Sequence, residues 1–512
     1  ELGITDYGKY LPRGHGGGSA NSALELFFNG EVMTLARWPK QSVFPNQGFE
    51  LIADVHGDKL VYSSNRPSVW SKENEIYLHG FFSLDWASTI VRAVSINTET
   101  HEITLDPPNA GHYGMRKGGR FFFFNILEEL TEPGNWWLNR NSGKLYFWPP
   151  TPIEQGELIV STLEEPMINF RDVEHVRFEG ICFECSRGDG VNIKNGTDIK
   201  FLGCSFKNIG RTAFRIEGGY NHIIKSCDVS YTGEAGVVIT NAGDRRTGRK
   251  CAHTIENCHM HHIAREGWTY FECVHVQNSC GIIVRHNRFH DHKHALIAPR
   301  GNDHLIEFNE FYNFTLEGDD CGCLYYGRDF TYQGNVMRYN YVHHSGDSGR
   351  NEWGSSGFYF DDGAGGAEIY GNIFHNVNTA IRAGGGVNIS INNNIFVNCQ
   401  PAIWFDERNA SAQADRGETM VHGWMRDRFY ELYAHVPPFA LRYKCMDVVH
   451  EAFQRGIGVK ALNGHVRRNI VVENKTRWLC THWSSLPDYF DYGDNSVNEE
   501  PHFTNPRFGI FS

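Results

Sequence analysis

The chain has 512 residues, of which 40% are hydrophobic and 21% charged, and a formal net charge of −12. That balance supplies a sizeable core, argues against a nucleic-acid partner, which would call for a basic face, and argues mildly against a highly anionic polysaccharide. No apolar run is long enough to cross a membrane, and a chain that starts at Glu1 in place of Met is expected to be a mature form, secreted or periplasmic.

Residues 1–165 read as a β-rich N-terminal domain. "FFNGEV" holds an Asn29-Gly30 hairpin signal, and "NWWLNRNSGKLYFW" predicts a second hairpin around Asn141-Ser142-Gly143. This domain is expected either to cap the remainder of the chain or to pack along it.

From about residue 176 a short pattern recurs: apolar, polar, apolar, then Cys or Asn, any residue, and an apolar residue. "IKFLGCSF", "IIVRHNRF", "HLIEFNEF" and "ISINNNIF" are examples. The anchors are Cys204, Cys227, Cys258, Asn287, Asn309, Asn340, Asn372, Asn394 and Asn469, with Ile181 before them. Successive separations are 23, 31, 29, 22, 31, 32, 22 and 75 residues. Short strands with no helical period between them, one turn per 22–32 residues, predict an all-β fold over 166–512, a parallel β-helix of right-handed coils. A stacked Asn column suits its turns, because each amide donates and accepts.

A second strand follows each anchor, as in "GVVIT", "ALIAP", "CLYYG", "GFYFD", "AIRAG" and "AIWFD". Aligned on their last residue, these put Lys194, Glu217, Thr240, Pro299, Gly327, Asp361, Gly384 and Asp406 in one outward column. Asp361 then faces solvent one coil above the strand that Asp320 precedes. The 75-residue gap is too long for a coil. Its "MRDRFYELYAHV" and "MDVVHEAFQRG" stretches predict a small helical insertion at about 407–463, emerging near Asp406.

The 13 cysteines show no zinc or disulfide spacing and are expected to be mostly reduced and buried. The repeat places His261, His290, His343 and His375 in one turn column, so a stack without a transition metal is expected. His294 escapes the column and is a substrate-binding candidate. The chemistry centres on Asp319-Asp320 and Asp361-Asp362. Two carboxylates on neighbouring coils suit glycoside hydrolysis, where one is the acid and the other attacks the sugar or activates water. A Ca²⁺ site is the competing reading; the expectation is no metal and no cofactor. Arg328, Asp329 and Arg382 are candidate clamps for substrate, with Tyr325 and Asp406 beside them.

The phrases "ALELFFNGEVMTLARWP", "NAGDRRTG", "NDHLIEFNEF", "DDCGCLYYGRDF", "YFDDGAGG" and "YGNIFHNV" resemble the right-handed parallel β-helix glycosidases of glycoside hydrolase family 141 and close relatives, over about residues 20–475. The resemblance implies hydrolysis of glycosidic bonds in a plant or algal polysaccharide or oligosaccharide. It also implies a catalytic pair at Asp320 and Asp361, with Asp319 and Asp362 as alternates. A polysaccharide lyase or epimerase on the same scaffold is the alternative. It would need a base such as His294 or Tyr325 and a neutralising Arg328 or Ca²⁺.

Overall fold

The computed structural model describes residues 3–498, apart from 16, 42–47, 73, 347–353, 407, 410–416, 462, 474–477 and 482–490. From Ile168 onward the chain winds into coils of three short strands. These build three parallel sheets of 11, 10 and 11 strands, each strand pairing with the same strand of the next coil. The first sheet runs from Ile168–Arg171 to Leu479–Thr481 and carries the candidate site. Alternation explains its strands: Val237 and Ile239, Phe358 and Phe360, Ile381 and Ala383 all point into the coil and lie in one continuous core.

The anchors stand one above another as expected, because the residues after them pair in unbroken register from Ser205 to Ile470. From Asn287 upward each Asn donates to the Oδ1 of the next, at 2.9–3.1 Å, and the ladder extends one rung beyond Asn469, to Asn495. The second amide hydrogen of Asn340 goes to the Ile306 carbonyl (3.0 Å). Asn340→Ala would orphan the backbone and side-chain N–H groups of Asn309 together with that carbonyl. It is expected to cost about 3 kcal/mol or more, seen as a lower urea midpoint; an unchanged midpoint would mean that the ladder contributes nothing to stability.

The histidine column forms as a ring stack from His261 to His343, and His375 follows His343 in strand register. His261 lies over His290 (5.1 Å between ring centroids), His290 over Tyr312 (4.4 Å) and Tyr312 over His343 (5.0 Å), all nearly parallel. All 13 cysteines are free thiols, most of them buried.

Two expectations about the outward column need correction. The column omits the strand Val274–Cys280, which follows the Cys258 anchor after a long turn and carries a bulge after Val276. Gln277 belongs in the column, paired with Thr240. Pro299 pairs with Val276, an inward position, so Arg300 takes the outward place on the next strand. Above this point the alignment holds: Gly327 pairs with Asp361, and Gly384 with Asp406.

The N-terminal residues fold into three sheets, the largest of eight strands. Both hairpins form: Leu26–Phe28 pairs with Glu31–Val32 across Asn29 and Gly30, both at positive φ, and Asn135–Asn139 pairs with Lys144–Phe147. This domain packs along the coils. Arg187 Nε donates to the Ser22 carbonyl (2.9 Å), Arg265 pairs with Glu25, and Arg120 bridges Asp85 (3.0 Å) and Glu317 (3.1 Å). The insertion holds helices at Arg426–Tyr433, Pro437–Arg442 and Asp447–Gln454, which share a small core with Phe330 and Val387 of the coils. No helix among the described residues is long and apolar enough to cross a membrane.

Candidate active site

The outer face of the first sheet lies between two walls. The N-terminal domain borders the turns that enter its strands, and the helical insertion borders the turns that leave them. The strands Cys321–Gly327 and Ser355–Asp361 are paired neighbours, so residues some forty apart in sequence meet across one strand spacing.

Asp320 sits in the turn before its strand at φ 50°, and its N–H donates to the Gly354 carbonyl (3.2 Å). Asp319 Oδ1 accepts that same N–H (2.8 Å), while the Asp319 N–H donates to the Asp85 carbonyl of the N-terminal domain (3.0 Å). Asp319 therefore fixes the turn, and Asp320 projects from it. At the other end of the next strand, Asp361 follows the in-out-in triplet Phe358-Tyr359-Phe360. The outward Tyr359 joins the two carboxylates: its Oη lies 3.2 Å from Asp320 Oδ1 and 2.9 Å from Asp361 Oδ1. Those two oxygens can be no farther apart than the two contacts laid end to end.

A phenol has one proton to give. If both aspartates were ionised, one of these short contacts would bring two oxygens together with no hydrogen between them. A proton on either carboxyl completes the chain, so the geometry favours one shared proton. The electrostatics agree. Burial and the neighbouring Asp362 push the Asp361 carboxyl up to about 6, against the pull of Arg408. Burial also pushes Asp320 upward, opposed by Arg382 and by the Tyr359 hydroxyl. Like charges at close range cannot both ionise freely.

The expectation that Asp361 faces solvent needs correction. It points away from the coil interior, yet it is only 7% exposed, because Tyr325, Tyr359 and Arg408 close over it. Tyr325 Oη donates to Asp361 Oδ2 (2.9 Å). Arg382, stacked on Tyr359 and Trp404, pairs with Asp320 (3.1 Å). Arg328 pairs with Asp362 (3.0 Å). Asp406 holds Arg408 through two bonds (2.7 and 2.8 Å), and Arg408 reaches Asp361 (2.9 Å) and Asp362 (3.1 Å).

Two substrate-binding candidates do not reach the pair as expected. His294 is 1% exposed beneath Tyr270, its ring 4.7 Å from the tyrosine's, and burial pushes its imidazole down to about 3. The long turn before Val274 lays Tyr270 across it. Asp329 is also buried and spends one carboxylate oxygen on the N–H and hydroxyl of Thr331, closing the turn after Arg328.

Sequence reasoning missed Tyr359 as a bridge, Arg408, Tyr270 and the contribution of the N-terminal domain. His15 Nδ1 lies 2.6 Å from Tyr113 Oη, and its ring packs on Tyr270 (4.9 Å) and Trp86 (5.6 Å). Tyr270 in turn meets Tyr325 (6.1 Å). Burial and the positive charges of Arg328, His112 and Arg300 push His15 downward, towards the neutral imidazole. Tyr270 is half-buried. Arg408 had a signal in the sequence: two Asp-Asp pairs brought onto adjacent coils, with Asp406 above them, call for nearby cations. His15, in "RGHGGG", carried no such signal.

Residues 272–415 match the family model described as a right handed beta helix region. The fold is a right-handed parallel β-helix. A solved structure described as "Glycoside hydrolase" superposes with a TM-score of 0.57 over 82% of this chain and 82% of that one, at 15% identity, a likeness of fold. A double mutant of the periplasmic alginate epimerase AlgG matches at a TM-score of 0.30 and 11% identity, over 62% of this chain and 78% of that one. No curated protein matches the chain in sequence.

Proposed function

We propose that the protein is a carbohydrate-active enzyme that hydrolyses glycosidic bonds, of the kind found in glycoside hydrolase family 141, with Asp361 and Asp320 as its catalytic pair. The observation that carries this reading is the single tyrosine hydroxyl shared by two carboxylates, Asp361 buried and Asp320 half-buried. Asp361, the more deeply desolvated, holds the proton. Asp320, paired with Arg382 and more exposed, is the carboxylate.

In this mechanism Asp361 protonates the glycosidic oxygen as its bond to the anomeric carbon breaks. Asp320 attacks that carbon from the opposite face and forms a glycosyl ester. The leaving alcohol departs with the Asp361 proton. Water then attacks the anomeric carbon and gives a proton back to Asp361, and Asp320 leaves as carboxylate. Retaining enzymes separate their carboxyls by ~5–5.5 Å and inverting ones by ~6.5–9.5 Å. The common contact with Tyr359 supports a separation near the shorter class. Proton NMR of the first-formed sugar is therefore expected to show the anomeric configuration of the substrate. Inversion would rule out Asp320 as nucleophile.

Elimination chemistry fits these surroundings less well. His294 is a covered and very weak base, and burial pushes the Tyr325 phenol well above its ordinary value, so it stays protonated and donates to Asp361. A divalent cation among the carboxylates would meet Arg328, Arg382 and Arg408, which already compensate them. Both points support a hydrolase that needs no metal.

A further inference from the structure

A cavity of about 620 Å³ opens away from the catalytic pair, at the same edge of the first sheet. Asn241, Arg245, Arg246 and Asn278 line one side, from turns that leave the coils; Glu431 and His435 of the helical insertion line the other. Asn241 and Asn278 directly follow Thr240 and Gln277 of the outward column and are bonded to each other (2.8 Å). Counting strands upward, Ile297–Asn302 and Cys321–Gly327 come next, and then Ser355–Asp361. At ~4.8 Å per strand, Asp361 stands about 14 Å above Asn278 and about 19 Å above Asn241 along the axis.

Two features join the cavity to the catalytic centre. The helix Arg426–Tyr433 borders both. Arg428 donates to the Arg328 carbonyl (3.3 Å), beside the Arg328–Asp362 pair, and one turn later Glu431 and Leu432 line the cavity. Arg245 ties the cavity floor to the higher coils, with bonds to Asn278 Oδ1 (3.2 Å), Asn302 Oδ1 (2.7 Å) and Thr331 Oγ1 (2.6 Å). The floor is thus held in place before any ligand arrives. Its character is mixed: Arg245, Arg246 and His435 face Asp244 and Glu431, among amide groups. Balanced charges with many donors and acceptors suit a neutral, hydroxyl-rich ligand better than an anion.

We propose that this cavity is a distal subsite for a neutral sugar chain laid along the coil axis, gripping it three to four coil rises from the bond that is cut. The inference rests on the hydrolase reading and adds that the enzyme favours long chains. Arg246, Glu431 and His435 are exposed, so their replacement leaves the core untouched.

The test compares the full-length protein with its Arg246→Ala/Glu431→Ala variant on graded oligosaccharides of neutral polysaccharides. It also compares binding of the same immobilised series by Asp361→Asn proteins with and without those two changes. For chains long enough to span both sites, kcat/KM and affinity should fall about tenfold, the size of one lost hydrogen bond to a charged group. For the shortest cleaved chain both should be unchanged. Equal losses at every length, no loss at any length, or no glycan bound at all would overturn the proposal. If length-dependent binding responds to the pair while no glycan is cleaved, the hydrolase reading fails and the subsite stands.

Discussion

Asp361→Asn and Asp320→Asn should each lower turnover by about 10³-fold or more on the natural substrate, because in the proposed mechanism each removes a group that bonds to or protonates the reacting atoms. The two losses should differ in kind. Asp361→Asn removes the acid, so aryl glycosides with good leaving groups should recover part of the rate of the first step. Asp320→Gly removes the nucleophile. Added azide should then attack from the vacated face and give a glycosyl azide of inverted configuration. Asn matches Asp in shape, and Arg408 keeps Asp362 and Asp406 as partners, so folding should survive. Near-normal turnover in either variant would remove that aspartate from the mechanism and point to Asp319 or Asp362.

Tyr359→Phe is expected to have the next largest effect, about 10²-fold on kcat, through loss of the shared proton. Its signature should lie in the pH profile. In the native protein the Asp361 carboxyl is pushed up to about 6, so the acid is protonated below that pH and loses its proton above it. Activity should therefore decline as pH rises through about 6. Without the phenol between them, the two carboxylates lose their common hydrogen-bond partner, and the midpoint of that decline should move. A purely structural role for Tyr359 would lower activity at every pH and leave the midpoint in place.

Much of the fold was legible because a coil repeats its own chemistry. Asn at anchor after anchor, from Asn287 to Asn469, can only mean a stacked turn, and the structure extends that ladder to Asn495. The register above Gly327 followed from the apolar alternation of "GFYFD" and "AIWFD". The strand Val274–Cys280 was hidden, although its anchor Cys258 was not, because it is bulged and the turn before it is long. The carboxylate pair was readable for the same reason as the ladder: adjacent coils collapse sequence distance. What the repeat cannot encode is the material laid against it. Tyr270 from an over-long turn covers His294, Arg408 enters from the edge of the insertion, and His15, Trp86 and Tyr113 come from a domain outside the repeat. Their places depend on tertiary packing, and neither periodicity nor spacing marks them. Burial of Asp361 comes from Arg408 together with Tyr325 and Tyr359 on the same face of the sheet, which is why an outward position in the strand did not mean an exposed one.

The most direct test of this account is a panel of neutral and anionic polysaccharides incubated with the wild-type protein and with Asp320→Asn and Asp361→Asn, in the presence of a chelator, assayed in parallel for new reducing ends and for unsaturated, ultraviolet-absorbing products. The expected result is release of reducing ends by the wild type alone, on a neutral chain, without absorbance and without metal. An absorbing product, activity abolished by the chelator, or reducing ends released equally by either variant would contradict it.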